Sequence, residues 1–241
     1  MITSPHNDNL KLIRKLGERK HREREGLFIT EGEDLVRAGL AAGAKPELLL
    51  EAPGTGIGGD DVEPELLARV SALGSGTRAI GVWRQAWSDP AGAPAVYLHG
   101  VRDPGNIGTV IRTAAALVGG TVVLGPDCAD PYSPKAVRAS MGSIFAQPVA
   151  RGGVEQTPAP RCALVAHGGG WPGGLESAAT ICLGGEREGL PADVLAHCEE
   201  QLTIPLREGA GAESLNVAAA AAIAGERLSS RARTRQGIGD A

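Results

Sequence analysis

Apolar positions along the chain alternate between two spacings, and together they predict a succession of strands and helices. Leu10 and Ile13, with Leu16, mark one face of an amino-terminal helix, and Leu27-Phe28-Ile29-Thr30 is a compact run suited to a strand. A helix over 34–42 closed by Gly43 follows, then a strand at 48–50 and a glycine-rich loop at 54–59. The pattern continues with a helix over 64–73 and a strand at 79–83. Residues 87–94, WSDPAGAP, have linker composition. Beyond them come strands at 96–101, 121–125, 162–166, 180–183 and 202–206, and helices from 107, over 134–145 and over 215–228. Strands recurring between helices imply an α/β fold, with a small α/β domain over 1–88 and a second over 93–241 built on a mostly parallel sheet covered on both faces.

The stretch VYLHGVRDPGNIGTVIRTAAALVGG (96–120) organises the second half. Asp103-Pro104-Gly105-Asn106 is turn chemistry, and the spacing predicts Asn106 as the helix N-cap. Ile107, Val110 and Ile111 then fall on one helical face, and Gly119-Gly120 ends the helix. Arg112 lies about 9 Å along the axis from that cap, and helical side chains tilt towards the amino terminus, so it is placed to reach back to the turn. A polar turn, a helix N-terminus and a returning cation suit an anionic ligand. Ligands of open parallel sheets sit beyond the carboxyl ends of the strands, which singles out the loops 102–106, 184–190 and 207–214.

Composition narrows the class. The 241 residues are 42% hydrophobic and 22% charged, as in soluble globular proteins. No apolar run approaches a membrane span and no signal-peptide core opens the chain, so the expected location is cytoplasmic, with no membrane partner. Cys128, Cys162, Cys182 and Cys198 form no CxxC pair and read as reduced, structural thiols, with no metal expected. The net charge of −4 announces no polyanion binder, but its distribution is uneven. Residues 1–25 carry a net +3 through Lys11, Arg14, Lys15, Arg19, Lys20, Arg22 and Arg24, residues 26–65 carry −7, and the tail is basic again at Arg227, Arg231, Arg233 and Arg235. A basic first helix is a candidate footprint for an RNA backbone. A solvated helix face is the simpler reading of the charges alone, because Glu18 and Glu23 lie among them.

Generic nucleotide motifs are missing. The chain has no GxxxxGK[ST], its Gly100, Gly105 and Gly108 do not fit GxGxxG, and neither HExxH nor GxSxG occurs. Three other segments stand at the candidate loops: Asn106-Ile107-Gly108 with Arg112; Leu183-Gly184-Gly185-Glu186-Arg187-Glu188-Gly189-Leu190; and Ile204-Pro205-Leu206 followed by Ser214-Leu215-Asn216-Val217. Their order and strand-end positions resemble the SpoU (TrmH-type) class of knotted RNA methyltransferases over about residues 93–230. Residues 1–88, especially LFITEGEDLVRAGLAAG, resemble the α/β substrate-binding domain often fused ahead of it.

The resemblance implies methyl transfer from S-adenosylmethionine to a ribose 2′-hydroxyl of rRNA or tRNA, with rRNA favoured, no metal, a carboxyl-terminal trefoil knot and a homodimer. It makes Asn106, Arg112, Glu186, Ser214 and Asn216 the catalytic candidates. It places the cofactor against Leu183, Gly184, Gly185, Ile204, Pro205, Leu206, Ser214 and Leu215, and leaves RNA contacts to Lys11, Arg14, Lys15, Arg19, Lys20 and Arg22. Structural roles remain open for each: Asn106, Ser214 or Asn216 as caps, Glu186 as a partner of Arg187, Arg112 as a surface cation, and His99 as a structural histidine. The segment 207–213 is longer than is usual for the class, and Ala218 replaces its frequent serine. Two rival functions remain: a non-catalytic dimeric RNA-binding protein retaining the fold, and a methyltransferase acting on a base or a protein.

Overall fold

The computed structural model describes residues 1–72, 76–170, 175, 177–207, 209, 211 and 213–235, the side chains of 230–235 excepted. The first half runs α1 (Asp8–Leu16), α2 (Arg19–Glu25), β1 (Leu27–Glu31), α3 (Glu33–Ala41), β2 (Leu48–Glu51), β3 (Asp60–Asp61), α4 (Pro64–Val70) and β4 (Ala79–Arg84). The second runs β5 (Ala95–His99), α5 (Pro104–Leu117), β6 (Thr121–Leu124), α6 (Pro134–Ala139), β7 (Val149–Arg151), β8 (Arg161–Leu164), β9 (Thr180–Gly184), α7 (Ala192–Leu195), β10 (Glu200–Leu202) and α8 (Val217–Arg235). The chain divides into two compact units, Met1–Ala86 with Asp130–Ala146, and Trp87–Ala129 with Gln147–Ala241.

The first unit is built on a mixed sheet in the order β1-β4-β2-β3, antiparallel except between β2 and β3. Leu10, Ile13 and Leu16 are buried with Ile29, Leu50, Val62, Leu67, Ile80 and Val82 in its core, so the apolar face of α1 packs where its spacing requires. Asn7 caps α1 by accepting from the Asn9 N–H at 2.9 Å. The expected single basic helix is two, because the chain turns at Gly17 before α2 begins. A second core forms around Phe28, whose ring packs at a tilt against Tyr132 at 4.9 Å and Phe145 at 5.6 Å, while Trp83 meets Phe145 edge-on. The segment from Asp130 to Ala146 therefore supplies two of this unit's aromatic rings.

The second unit is built on six parallel strands in the order β10-β8-β9-β5-β6-β7. Its central strands β9, β5 and β6 are nearly continuous buried runs, as a sheet covered on both faces demands. Leu164, Leu183, Leu98, Leu124 and Arg151 form one row across β8, β9, β5, β6 and β7, which fixes the carboxyl edge. Helix α5 packs on α8, burying Val110, Ile111 and Ala114 of one and Val217, Ala221 and Ala224 of the other. Gly119, at φ +72°, provides the left-handed turn that ends α5.

Several expected boundaries move. The helix expected over 134–145 is α6 followed by a separate single turn at Ser143–Phe145. The strand expected at 202–206 is instead Glu200–Leu202, so Ile204 to Leu206 belong to the loop beyond it. The helix expected over 64–73 ends at Val70, and Leu73 lies outside the described residues.

Candidate active site

The helix cap at the first loop is not the residue its sequence suggested. Asp103 caps α5, its Oδ1 accepting from the N–H groups of Gly105 at 2.5 Å and Asn106 at 3.3 Å. Pro104 then occupies the first helical position, where its missing N–H costs nothing. This moves Asn106 inside the first turn and frees its amide. That amide donates to Glu186 Oε1, and Asn106 Oδ1 accepts from Asn216 Nδ2 at 3.2 Å. Asn216 in turn caps α8, Oδ1 accepting from Ala218 N at 2.9 Å and Ala219 N at 3.4 Å. One chain of side-chain hydrogen bonds thus ties together three loops that are far apart in sequence.

Glu186 connects this chain to a cavity of about 480 Å³ at the carboxyl ends of β8 and β9. Its walls are Leu164 to His167, Leu183 to Leu190, Ile204, Leu206, Glu213 to Leu215, Val217 and Ala220. Seven of the eight expected cofactor residues line it: Leu183, Gly184, Gly185, Ile204, Leu206, Ser214 and Leu215. Pro205 does not. Gly184 serves the loop itself: a Cβ there would run into the backbone of Gly189 and Leu190, which fold back through the Gly185–Gly189 bridge. Within the longer segment 207–213, residues 208, 210 and 212 lie outside the described residues, and Glu213 reaches the cavity.

The segment Leu164 to His167 was not anticipated. It lies at the end of the strand expected at 162–166, and the strand-end rule that singles out the other three loops applies to it equally.

The cavity suits S-adenosylmethionine chemically. Its volume lies within the usual range for a small-molecule site. Leucine, isoleucine and valine side chains provide apolar walls for a purine, while Glu186, Glu188 and Glu213 outnumber Arg187 as charged lining groups, which favours a cationic sulfonium and ammonium.

Arg112 stands apart. It is exposed on α5, and among the described residues its side chain makes no hydrogen bond or ion pair. Six helical residues separate it from Asn106, a rotation of about 240°, so the two project from different faces. The expected return of Arg112 to the turn is absent for that reason. Ser214 is exposed at the cavity and caps no helix, since Asn216 holds that place.

The RNA candidates divide. Lys11 pairs with Asp8, Arg19 with Glu23 and Lys20 with Glu18, all at 2.8–2.9 Å on the surface. Arg14 reaches only the Pro5 carbonyl, and Lys15 is exposed. Exposed pairs of this kind contribute about 0–1 kcal/mol and exchange readily for phosphate. Arg22 is a correction. It is 3% exposed, paired with Asp130 at 2.8 Å and bonded to the Leu16 and Gly17 carbonyls, so it offers nothing to a phosphate backbone. In the basic tail, the side chains of Arg231, Arg233 and Arg235 lie outside the described residues.

Tyr97 of β5, Cys162 of β8 and Cys182 of β9 are buried within the sheet and are not among the residues that line the cavity. Burial raises the Tyr97 phenol, whose oxygen lies 3.2 Å from His99 Nδ1, and pushes the Cys162 thiol up to about 12. Cys182 donates its hydrogen bond to Cys198, which lowers Cys198 and raises Cys182.

The SpoU rRNA Methylase family matches residues 93–159 and 166–225, and the MRM3-like substrate binding domain matches residues 7–85. The chain belongs to the SpoU rRNA Methylase family. It is 33% identical to the 23S rRNA (guanosine(2553)-2′-O)-methyltransferase RlmP of Bacillus subtilis, over 92% of this chain and 96% of that protein. A solved TrmH-family protein from Porphyromonas gingivalis superposes with a TM-score of 0.81 at 30% identity, covering 96% of this chain and 99% of the other. The AdoMet-bound rRNA methyltransferase of Sinorhizobium meliloti gives 0.80 at 28% identity, covering 97% of each chain. Among the described residues of this SpoU member, no helix is long and apolar enough to cross a membrane, and no group of three or more metal-ligating side chains occurs.

Proposed function

We propose that this SpoU protein methylates a ribose 2′-hydroxyl of RNA, with rRNA favoured over tRNA, using S-adenosylmethionine. The carrying observation is the Glu186–Asn106–Asn216 hydrogen-bond chain joined to the strand-end cavity. A protein that only bound RNA would have no need of this arrangement beside a cofactor-sized cavity. The Bacillus relative, named as a 2′-O-methyltransferase of 23S rRNA, supports the choice of ribose and of rRNA.

Bound S-adenosylmethionine supplies an electrophilic methyl group. The remaining work falls to the chain. The apolar walls exclude water, and Asn106, held by two side chains, keeps a fixed orientation for contact with the ribose. Glu186 ties the 184–190 loop, a wall of the cavity, to Asn106. Arg112 is the residue we assign to the phosphate beside the target ribose, for which a planar guanidinium fork is suited. Ser214, on the cavity wall, would contact the bound cofactor.

The reading extends to organisation. Residues 1–88 act as the RNA-binding domain through Lys11, Arg14, Lys15, Arg19 and Lys20, and residues 93–241 as the methyltransferase domain with the family's trefoil knot. The enzyme works as a cytoplasmic homodimer. Much of the apolar surface of α5 and α8 is consumed within the chain, leaving Ala115 and Ala116 of α5 and Ala219 and the 38%-exposed Ile223 of α8 for a partner copy.

The deciding experiment is incubation with methyl-labelled S-adenosylmethionine and total RNA, followed by nucleoside analysis. Label in a 2′-O-methylnucleoside from rRNA is expected. Label in a base, in protein or nowhere overturns the reading.

A further inference from the structure

Aromatic side chains are scarce in this chain, and four of the six among the described residues are buried. Of the seven, Trp171 lies outside the described residues, and Phe28, Trp83, Tyr97 and Tyr132 are at most 2% exposed. Phe145 is half-buried, whereas Trp87 is 38% exposed. With over a third of its surface in water, the indole forgoes part of the burial that elsewhere stabilises a fold. It is also held in place. The Arg151 guanidinium lies 4.3 Å from its ring centroid, and the neighbouring Ser88 N–H donates to the Val149 carbonyl at 2.8 Å. Arg151 is itself exposed and ends β7, an edge strand of the parallel sheet.

The position of this pair connects it to the cavity. Arg151 occupies the same cross-sheet row as Leu124, Leu98, Leu183 and Leu164, and the last two line the cavity. Three strand spacings of about 4.8 Å separate β7 from β9, so Arg151 lies roughly 14 Å from Leu183 along the carboxyl edge. A strand of RNA with its target ribose at the cavity can span that distance within a few nucleotides.

We infer that Trp87 and Arg151 form a docking point for a single-stranded nucleotide of the RNA substrate, the indole stacking on a base and the guanidinium meeting the adjoining phosphate. This inference rests on the methyltransferase reading for the identity of the RNA. Stacking accepts any base and requires an unpaired one, because bases within a duplex already cover their faces. Arg151 pre-orients the indole, so little freedom is lost on binding.

The test measures binding of a short labelled single-stranded RNA, and of the same sequence as a duplex, to the full chain. Trp87→Ala should weaken single-strand binding about ten-fold. Trp87→Phe should recover most of that loss, and duplex binding should not change. Arg151→Gln should make the salt dependence of single-strand binding shallower by about one phosphate contact. Calorimetric affinity for S-adenosylmethionine and the melting temperature should stay as in the wild type. Unchanged single-strand binding by Trp87→Ala, an equal loss on the duplex, or no single-strand binding by the wild type overturns the inference. A lowered melting temperature without the single-strand selectivity does so too, because the pair is then a structural latch. Methyl transfer by the wild type is assayed in parallel. Transfer without a Trp87 effect sinks this inference alone, and a Trp87 effect without transfer sinks the functional reading alone.

Discussion

Arg22 and Asp130 stand 108 residues apart in sequence and form a buried ion pair at 2.8 Å, each side chain about 5% exposed or less. The guanidinium also accepts the structural task of closing α1, because it donates to the carbonyls of Leu16 and Gly17 at that helix's end. Asp130 Oδ1 meanwhile accepts from the Tyr132 N–H at 2.9 Å, which helps set the ring that packs against Phe28.

Removing the carboxylate strands a buried cation. Asp130→Ala should therefore destabilise the first unit by about 3–5 kcal/mol. Urea denaturation followed through the buried Trp83 would show the loss as a lower midpoint. A change below 1 kcal/mol would mean that the pair contributes no more than a surface one.

Asn216 has two duties that a single substitution can separate. Its Oδ1 caps α8, and its Nδ2 holds Asn106. Asn216→Asp keeps the acceptor for the cap and loses the donor, so stability should hold while single-turnover methylation falls at least ten-fold. Asn216→Ala should lose both, with about 1 kcal/mol of stability. Equal turnover in the aspartate variant and the wild type would remove Asn106 orientation from the mechanism.

Much of the architecture was readable from apolar runs, because a buried parallel sheet needs continuous apolar strands and its helices need periodic ones. The candidate loops were readable for the same reason: they follow strand ends. What escaped depends on distance along the chain. Nothing local to Arg22 says that Asp130 will reach it, so it read as one more cation among seven. Nothing local to Tyr132 and Phe145 says that they will pack against Phe28. Asn106 was mistaken for a cap because asparagine and aspartate are nearly equal in that role, and the Pro104 beside Asp103 was the decisive local clue. The pair Asp60–Asp61 forms β3 with no apolar pattern at all, since backbone pairing with β2 and the Ile2 N–H donating to the Asp61 carbonyl place it.

Gly184 should tolerate no side chain. A Cβ there meets Gly189 and Leu190 backbone, so Gly184→Val is expected to push the 184–190 loop from the cavity and abolish S-adenosylmethionine binding. Even Gly184→Ala should weaken it at least ten-fold, since backbone cannot swing aside as a side chain can. Calorimetry giving wild-type affinity for the alanine variant would contradict the close approach.

Cys198 should be the first thiol to alkylate. Its half-buried sulfur is lowered from the usual thiol range by the Cys182 hydrogen bond, whereas Cys162 is pushed up to about 12 and Cys182 is raised. A lowered value means that thiolate is present at lower pH, and thiolate is the species that reacts. Iodoacetamide labelling between pH 6 and 9, read by peptide mass spectrometry, should modify Cys198 before Cys162 or Cys182. Cys182→Ala removes the donor and should slow that labelling. No slowing would show that exposure alone sets the order.

Arg112 carries the sharpest mechanistic test. A ribose hydroxyl is a weak nucleophile, so transfer requires either a base or strict alignment. A guanidinium keeps its charge under physiological conditions and then has no acceptor for the hydroxyl proton. Its exposed position on α5, facing away from Asn106, matches a group waiting for a phosphate rather than one organised by a neighbour. Bidentate contact with the phosphate beside the target ribose would hold the hydroxyl in line with the methyl group. Lysine preserves the charge without the planar fork, so Arg112→Lys should keep cofactor affinity and lose most of the turnover, with Arg112→Ala lower still. Single-turnover methylation at saturating RNA, followed across pH, separates the two roles. Near-normal rates in the lysine variant with a lowered pH optimum would assign proton removal to this position and end the phosphate-clamp account.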